Sequence, residues 1–122
     1  MRAGIDVVVI GGGQAGLATA YFLRRTGLDY LVLDDQSAPG GAWRHTWDSL
    51  HLFSPAQWSS LPGWQMPQSH DTYPSHDEVI AYLARFEDRY HIPVRRQVHV
   101  RSVSRVQGGL AGQYRSRGMA RE

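Results

Sequence analysis

The chain has 122 residues, thirteen arginines and no lysine against eleven acidic residues, and a formal net charge of +2. That length holds one small domain burying about two-thirds of its unfolded surface, which excludes two complete dinucleotide sites in the same chain. Without cysteine there are no disulfides or thiolate metal sites, and no apolar run is long enough for a membrane-spanning helix.

Met1 and Arg2 lead straight into a strand, so no signal peptide is expected, and a cytoplasmic location is. Residues 5–10, Ile-Asp-Val-Val-Val-Ile, are a short β-branched run with the composition of a parallel strand buried on both faces. Gly11-Gly12-Gly13-Gln14-Ala15-Gly16 follows, and from Ala15 the small and apolar residues Gly16, Leu17, Ala18, Ala20, Phe22 and Leu23 describe a helix that packs closely on a sheet. Arg24 and Arg25 fall where a helix C-terminus favours positive charge, and Gly27 is placed to end it. A second apolar run over residues 30–33 leads into Asp34, eighteen residues after Gly16. Strand, glycine turn, helix, strand, acid is the context of a dinucleotide-binding fingerprint.

Each position has a task. Gly11 permits the tight turn, Gly13 lets the backbone approach a pyrophosphate, and Gly16 lets the helix lie close to the strand. The N–H groups of the first helical turn, at Gln14, Ala15 and Gly16, point at the phosphates with the positive end of the helix dipole behind them. Asp34 accepts hydrogen bonds from a ribose. A 2′-phosphate would meet Asp34 and Asp35 with no nearby arginine, which disfavours NADP at this site.

Residues 38–74 are rich in Gly, Pro, Ser, His and Trp with little periodicity, the mark of a long functional loop. Ser75-His76-Asp77-Glu78 forms a capping box that opens a helix running to residue 90, with Val79, Leu83, Phe86 and Tyr90 on one face. Glu87, Asp88 and Arg89 are expected on its solvated face, and Pro93 follows as a stop. Residues 97–103 alternate Val98, Val100 and Val103 with polar residues, a third strand that would pair beside the second in the order 3-2-1. From residue 107 the pattern fades. Residues 107–122 are expected to be a disordered basic tail, within a segment 91–122 that carries seven arginines against Glu122 alone. No aromatic-interleaved basic face accompanies those arginines, so nucleic acid is not an expected partner. The six histidines lack metal-ligand spacing and no nucleophile motif is present, so no metal site and no catalytic residue is assigned.

Asp34 through Pro39-Gly40-Gly41-Ala42-Trp43 resembles the second signature of the two-dinucleotide-binding flavoproteins, and within them the flavin-containing monooxygenases. The similarity continues through Trp47-Asp48-Ser49-Leu50, Leu52-Phe53-Ser54-Pro55, Leu61-Pro62-Gly63 and Tyr73-Pro74-Ser75. It implies an α/β, Rossmann-like FAD-binding half over residues 1–106, a short parallel sheet with helices and a long loop, incomplete relative to the family. By resemblance FAD is the cofactor. Gly11, Gly13 and Gly16 bind its pyrophosphate, Asp34 its ribose, and Gly41, Ala42 and Trp43 follow the second signature against it. Ser54, beside Phe53, falls near a further flavin-contacting position where the family often has Asn, and Val100 matches a place where backbone meets the adenine. All four tryptophans lie in the long loop, where they either wall the flavin site or pack the loop itself.

The family also uses NADPH, yet residues 17–122 contain no second glycine fingerprint. The resemblance therefore implies the FAD-binding part of a flavin-dependent, NAD(P)H-using monooxygenase, in which reduced flavin and O₂ oxygenate a soft nucleophile or a carbonyl. The alternative is a non-catalytic FAD- or nucleotide-binding module whose exposed sheet is covered by a second polypeptide or another copy. An NAD-binding half is a third reading, which leaves Gly-Gly-x-Trp unexplained.

Overall fold

A computed structural model describes residues 4–52, 56–68, 73–116 and 119–120. Strand β1 (Val7–Ile10) leads through the glycine turn into helix α1 (Gln14–Leu23), which returns the chain to β2 (Tyr30–Leu33). The long loop contains a 3-10 turn (Gly41–His45) and the short helix α2 (Ala56–Ser59) before α3 (His76–Arg89). Then come β3 (Val94–Arg95), β4 (Val98–Val106), β5 (Gly109–Ser116) and β6 (Met119–Ala120).

Two sheets result. The first is parallel, with β2 between β1 and β3, the expected 3-2-1 order of a Rossmann-like half. Val9 stands opposite Val32 on one side, and Val32 opposite Val94 on the other. The second sheet is antiparallel, in the order β4, β5, β6.

The core lies where α1 and α3 meet the first sheet. Leu17, Ala20 and Tyr21 from α1, Val32 from β2, and Val79, Tyr82, Leu83 and Phe86 from α3 form one buried cluster. α3 begins as its sequence dictates: the Ser75 hydroxyl accepts from the Glu78 N–H at 3.2 Å, and the Glu78 carboxylate accepts from the Ser75 N–H at 2.9 Å. The loop is anchored by Tyr82, whose hydroxyl accepts from the Leu61 N–H at 2.9 Å and donates to the Trp64 carbonyl.

Three expectations are corrected. The parallel third strand is Val94–Arg95, immediately after Pro93, and the alternating segment 98–106 instead pairs antiparallel with β5. Gln97, at φ +59°, breaks the ladder between them. The tail expected to be disordered from residue 107 supplies β5, because Gln107 and Gly108 (φ +85°) make a two-residue turn that folds residues 109–116 back on β4. β1 is not buried on both faces: Val8 and Ile10 remain 46% and 57% exposed on the side away from α1.

Candidate functional site

The glycine turn is built by backbone geometry. Gly11 sits at φ +104°, a region that glycine enters without strain, and its N–H donates to the Leu33 carbonyl at 2.7 Å. Gly13 caps α1 without any side-chain hydrogen bond, and no acidic residue occupies the first turn. The N-terminal N–H groups of α1 are therefore not claimed by a side-chain cap, as an anion site requires. A Cβ on Gly16 would stand 1.9 Å from the Gly11 carbonyl oxygen, so only glycine lets α1 approach the turn this closely.

The two glycine signatures meet. Gly40 and Gly41 both have positive φ, and a Cβ on Gly41 would lie 2.8 Å from the Gly13 Cα. Ala42 then faces solvent at the start of the 3-10 turn, while Trp43 is half-buried against the core cluster. Behind Trp43 lies His76, their ring centroids 6.3 Å apart. The buried His76 ring bonds Asp77 through Nδ1 at 3.0 Å. Its Nε2 has no hydrogen-bond partner among the described residues. The Asp77 hydrogen bond raises the His76 pKa above the ordinary 6.5, against the opposing effect of burial.

Asp34 closes β2 and is buried. Its Oδ1 accepts a long 3.4 Å contact from the Gly12 N–H, which places the carboxylate directly beneath the glycine turn. Its Oδ2 pairs with Arg96, and the other terminal nitrogen of Arg96 pairs with Glu87 of α3. This corrects the expectation that no arginine stands near Asp34. It also corrects the placement of Glu87 on the solvated face, although Asp88 and Arg89 are exposed as expected. Burial raises the Glu87 pKa, opposed by its bond to Arg96. Arg96 lies sixty-two residues from Asp34 in sequence; only the register of β3 beside β2 brings it there.

Gly11, Gly13, Gln14, Ala15, Gly16, Asp34 and Gly41 thus gather around one turn, with Ala42 and Trp43 following directly from it. Val100 is paired with Tyr114 in the antiparallel sheet. Its neighbour Val98 makes the contact with the end of β2, donating its N–H to the Asp34 carbonyl at 2.9 Å. Ser54 and Phe53 lie outside the described residues. Among the described residues, no three His, Cys, Asp or Glu side chains gather as a metal site, and no helix is long and apolar enough to cross a membrane.

A family model for pyridine nucleotide-disulphide oxidoreductases matches residues 8–111. The chain belongs to this family. Within it the similarity runs to flavin monooxygenases and related oxidoreductases. A flavin-containing monooxygenase from Stenotrophomonas maltophilia is 55% identical with a TM-score of 0.90, over 93% of this chain and 34% of that one. The uncharacterized oxidoreductase CzcO of Bacillus velezensis is 37% identical over 83% of this chain and 29% of its own length. Indole-3-pyruvate monooxygenase YUCCA6 of Arabidopsis thaliana is 35% identical over 70% of this chain and 21% of its own. The chain thus spans about a third, or less, of the length of these relatives. It corresponds to a Rossmann-like fragment of a flavin monooxygenase-like member of the family.

Proposed function

We propose that this chain binds FAD by its ADP half and is the FAD-binding part of an NAD(P)H-using flavin monooxygenase. The observation that carries the proposal is the convergence of three separate sequence signals: the Gly11–Gly16 turn, the Gly40-Gly41 turn packed on Gly13, and the Asp34 carboxylate under the Gly12 N–H. The cradle suits the group. Positive-φ and contact-limited glycines keep the turn free of side chains, as close approach of a pyrophosphate requires, and a buried acid beneath that turn suits a ribose hydroxyl.

Flavin, when bound, supplies redox and oxygen chemistry that no amino-acid side chain provides. The residues of this chain bind and orient it. Helix α1 presents N–H groups to the phosphates, Gly13 and Gly41 exclude side chains from the phosphate path, and Asp34 holds the ribose. Trp43, packed against the core cluster with His76 beside it, fixes the chain after the second signature. No residue of the site is assigned a proton-transfer role. NADPH binding and substrate contact belong to polypeptide beyond the matched fragment, and a cytoplasmic location is part of the same proposal.

Absorbance and fluorescence titration of the purified chain with FAD, followed by NADPH under anaerobic conditions, tests this reading. Saturable FAD binding without bleaching by NADPH is the expected result. A folded chain that binds NAD but not FAD would refute it. The exposed apolar side chains of β1, Val8 and Ile10, favour a second reading, a non-catalytic FAD module covered by another polypeptide or copy. Bleaching that appears only on adding a second polypeptide carrying a glycine fingerprint would separate a split enzyme from an inert module.

A further inference from the structure

We propose that Arg96, anchored by Glu87, is a positioning residue that fixes the Asp34 carboxylate for the two ribose hydroxyls of an adenine dinucleotide. The inference rests on the proposed FAD site and assigns a role to two residues outside the glycine signatures.

The Asp34 side chain is only 3% exposed, and a carboxylate so buried must be paired or become neutral. Its contact with Gly12 is long and correspondingly weak. Arg96 is therefore the main partner that holds the Asp34 carboxylate in one rotamer. A point charge would not suffice to aim it. Arg96 reaches it with one terminal nitrogen while the other is held by Glu87, whose side chain is itself 12% exposed. The planar guanidinium is thus strung between the end of β2 and α3 and cannot turn about its own axis without losing a charge-assisted bond.

The same geometry explains why Arg96 does not serve as a phosphate receptor. Both of its terminal nitrogens are committed to carboxylates, and the three charges sum to minus one, which repels a 2′-phosphate. Asp34 retains acceptor capacity, because a carboxylate has about four lone-pair sites and the structure shows two contacts on it. A Cβ on Gly12 would stand 3.1 Å from the Asp34 Cγ and 3.3 Å from the Arg96 Nη1. Acid and guanidinium thus lie immediately against the turn that receives the nucleotide.

The test compares ADP with 2′,3′-dideoxy-ADP by calorimetry on the full 122-residue chain, wild type and variants. Arg96→Gln should weaken ADP about 10-fold or more, the equivalent of ~1.4 kcal/mol, while leaving the dideoxy analogue nearly unchanged. Glu87→Gln preserves the shape and should give a smaller loss of about 3-fold, again confined to ADP. Arg96→Lys should restore only part of the ADP affinity. Equal losses for both ligands would show a merely structural role and overturn the inference while leaving the FAD site intact. If Arg96→Gln does not fold, unchanged ADP affinity in Glu87→Gln would overturn it. A folded wild type that binds neither FAD nor ADP would instead overturn the proposed function, and the inference with it.

Discussion

Gly16 cannot be enlarged unless the backbone moves, because the atom its Cβ would strike is the Gly11 carbonyl oxygen and no flexible side chain stands there to yield. Gly16→Ala should cost about 1–3 kcal/mol, the range for overpacking a close contact, and should weaken FAD through the displaced α1 N-terminus. Gly109→Ala is the control: its Cβ meets nothing within 4 Å, so its effect should stay within about 0.5 kcal/mol. Urea denaturation of both variants, with FAD titration, measures the contrast, and equal costs would contradict it. His76 gives a pH prediction. Its folded pKa is raised, chiefly by Asp77, so its protonated form stabilises the fold. That contribution is complete below the ordinary value of 6.5 and fades as pH rises through the higher folded value. Melting temperatures between roughly pH 6 and pH 8 should fall more steeply for the wild type than for His76→Gln; parallel slopes would refute the assignment. At this scale the sequence was informative wherever a residue type has a local reason, as at Gly11, Gly16 and Asp34. It was silent on Arg96 and Glu87, whose roles come from a contact sixty-two residues apart along the chain.

α3 shows how far element-level patterns reach. Its capping box, its apolar face and its end near Tyr90 all follow from spacing, since local hydrogen bonds and a 3.6-residue period decide them. Ser75→Ala should therefore cost about 1 kcal/mol, the usual value of an N-cap, read as a lower urea midpoint. Tyr82 belongs to the same helix but acts on the loop. Burial raises its pKa, so it stays a protonated donor, and its hydroxyl joins the Leu61 N–H to the Trp64 carbonyl. Tyr82→Phe would strand both groups and should cost about 1–3 kcal/mol. Proteolysis within residues 56–68 should then increase while the α3 helical signal persists; an unchanged cleavage pattern would show that other contacts hold the loop. No periodic signal in the loop announces this bond. The third parallel strand leaves no sequence signal for a related reason: two residues, Val94 and Arg95, suffice for the pairing with β2. A run that short has no period to detect.

For the molecule as a whole, the two sheets differ in what holds them. The parallel sheet shares its central residue Val32 with the α1–α3 core. The antiparallel hairpin has no such face. Beyond Val100 every residue of β4 is exposed, and along β5 as far as Arg115 only Tyr114 is not, with Val103, Val106 and Leu110 among the exposed apolar residues. Alternation in residues 97–103 announces a strand but cannot name its sheet: beyond Val100 neither face is buried, so the register there is fixed by the turn at Gln107-Gly108 rather than by hydrophobic pattern. A two-stranded ribbon without a buried face is marginal in water. The hairpin should therefore open independently of the core. Native-state amide exchange should show residues 101–106 and 109–115 exchanging through openings that cost less than global unfolding and depend little on denaturant, while α1 and α3 exchange only by global unfolding. Adding FAD should slow exchange throughout α1, because a ligand bound only to the folded state stabilises what must unfold to release it. Exchange in the hairpin should stay nearly constant, because local opening there leaves the glycine turn in place. Equal protection of hairpin and core, or equal slowing by FAD, would show that the two sheets unfold as one unit.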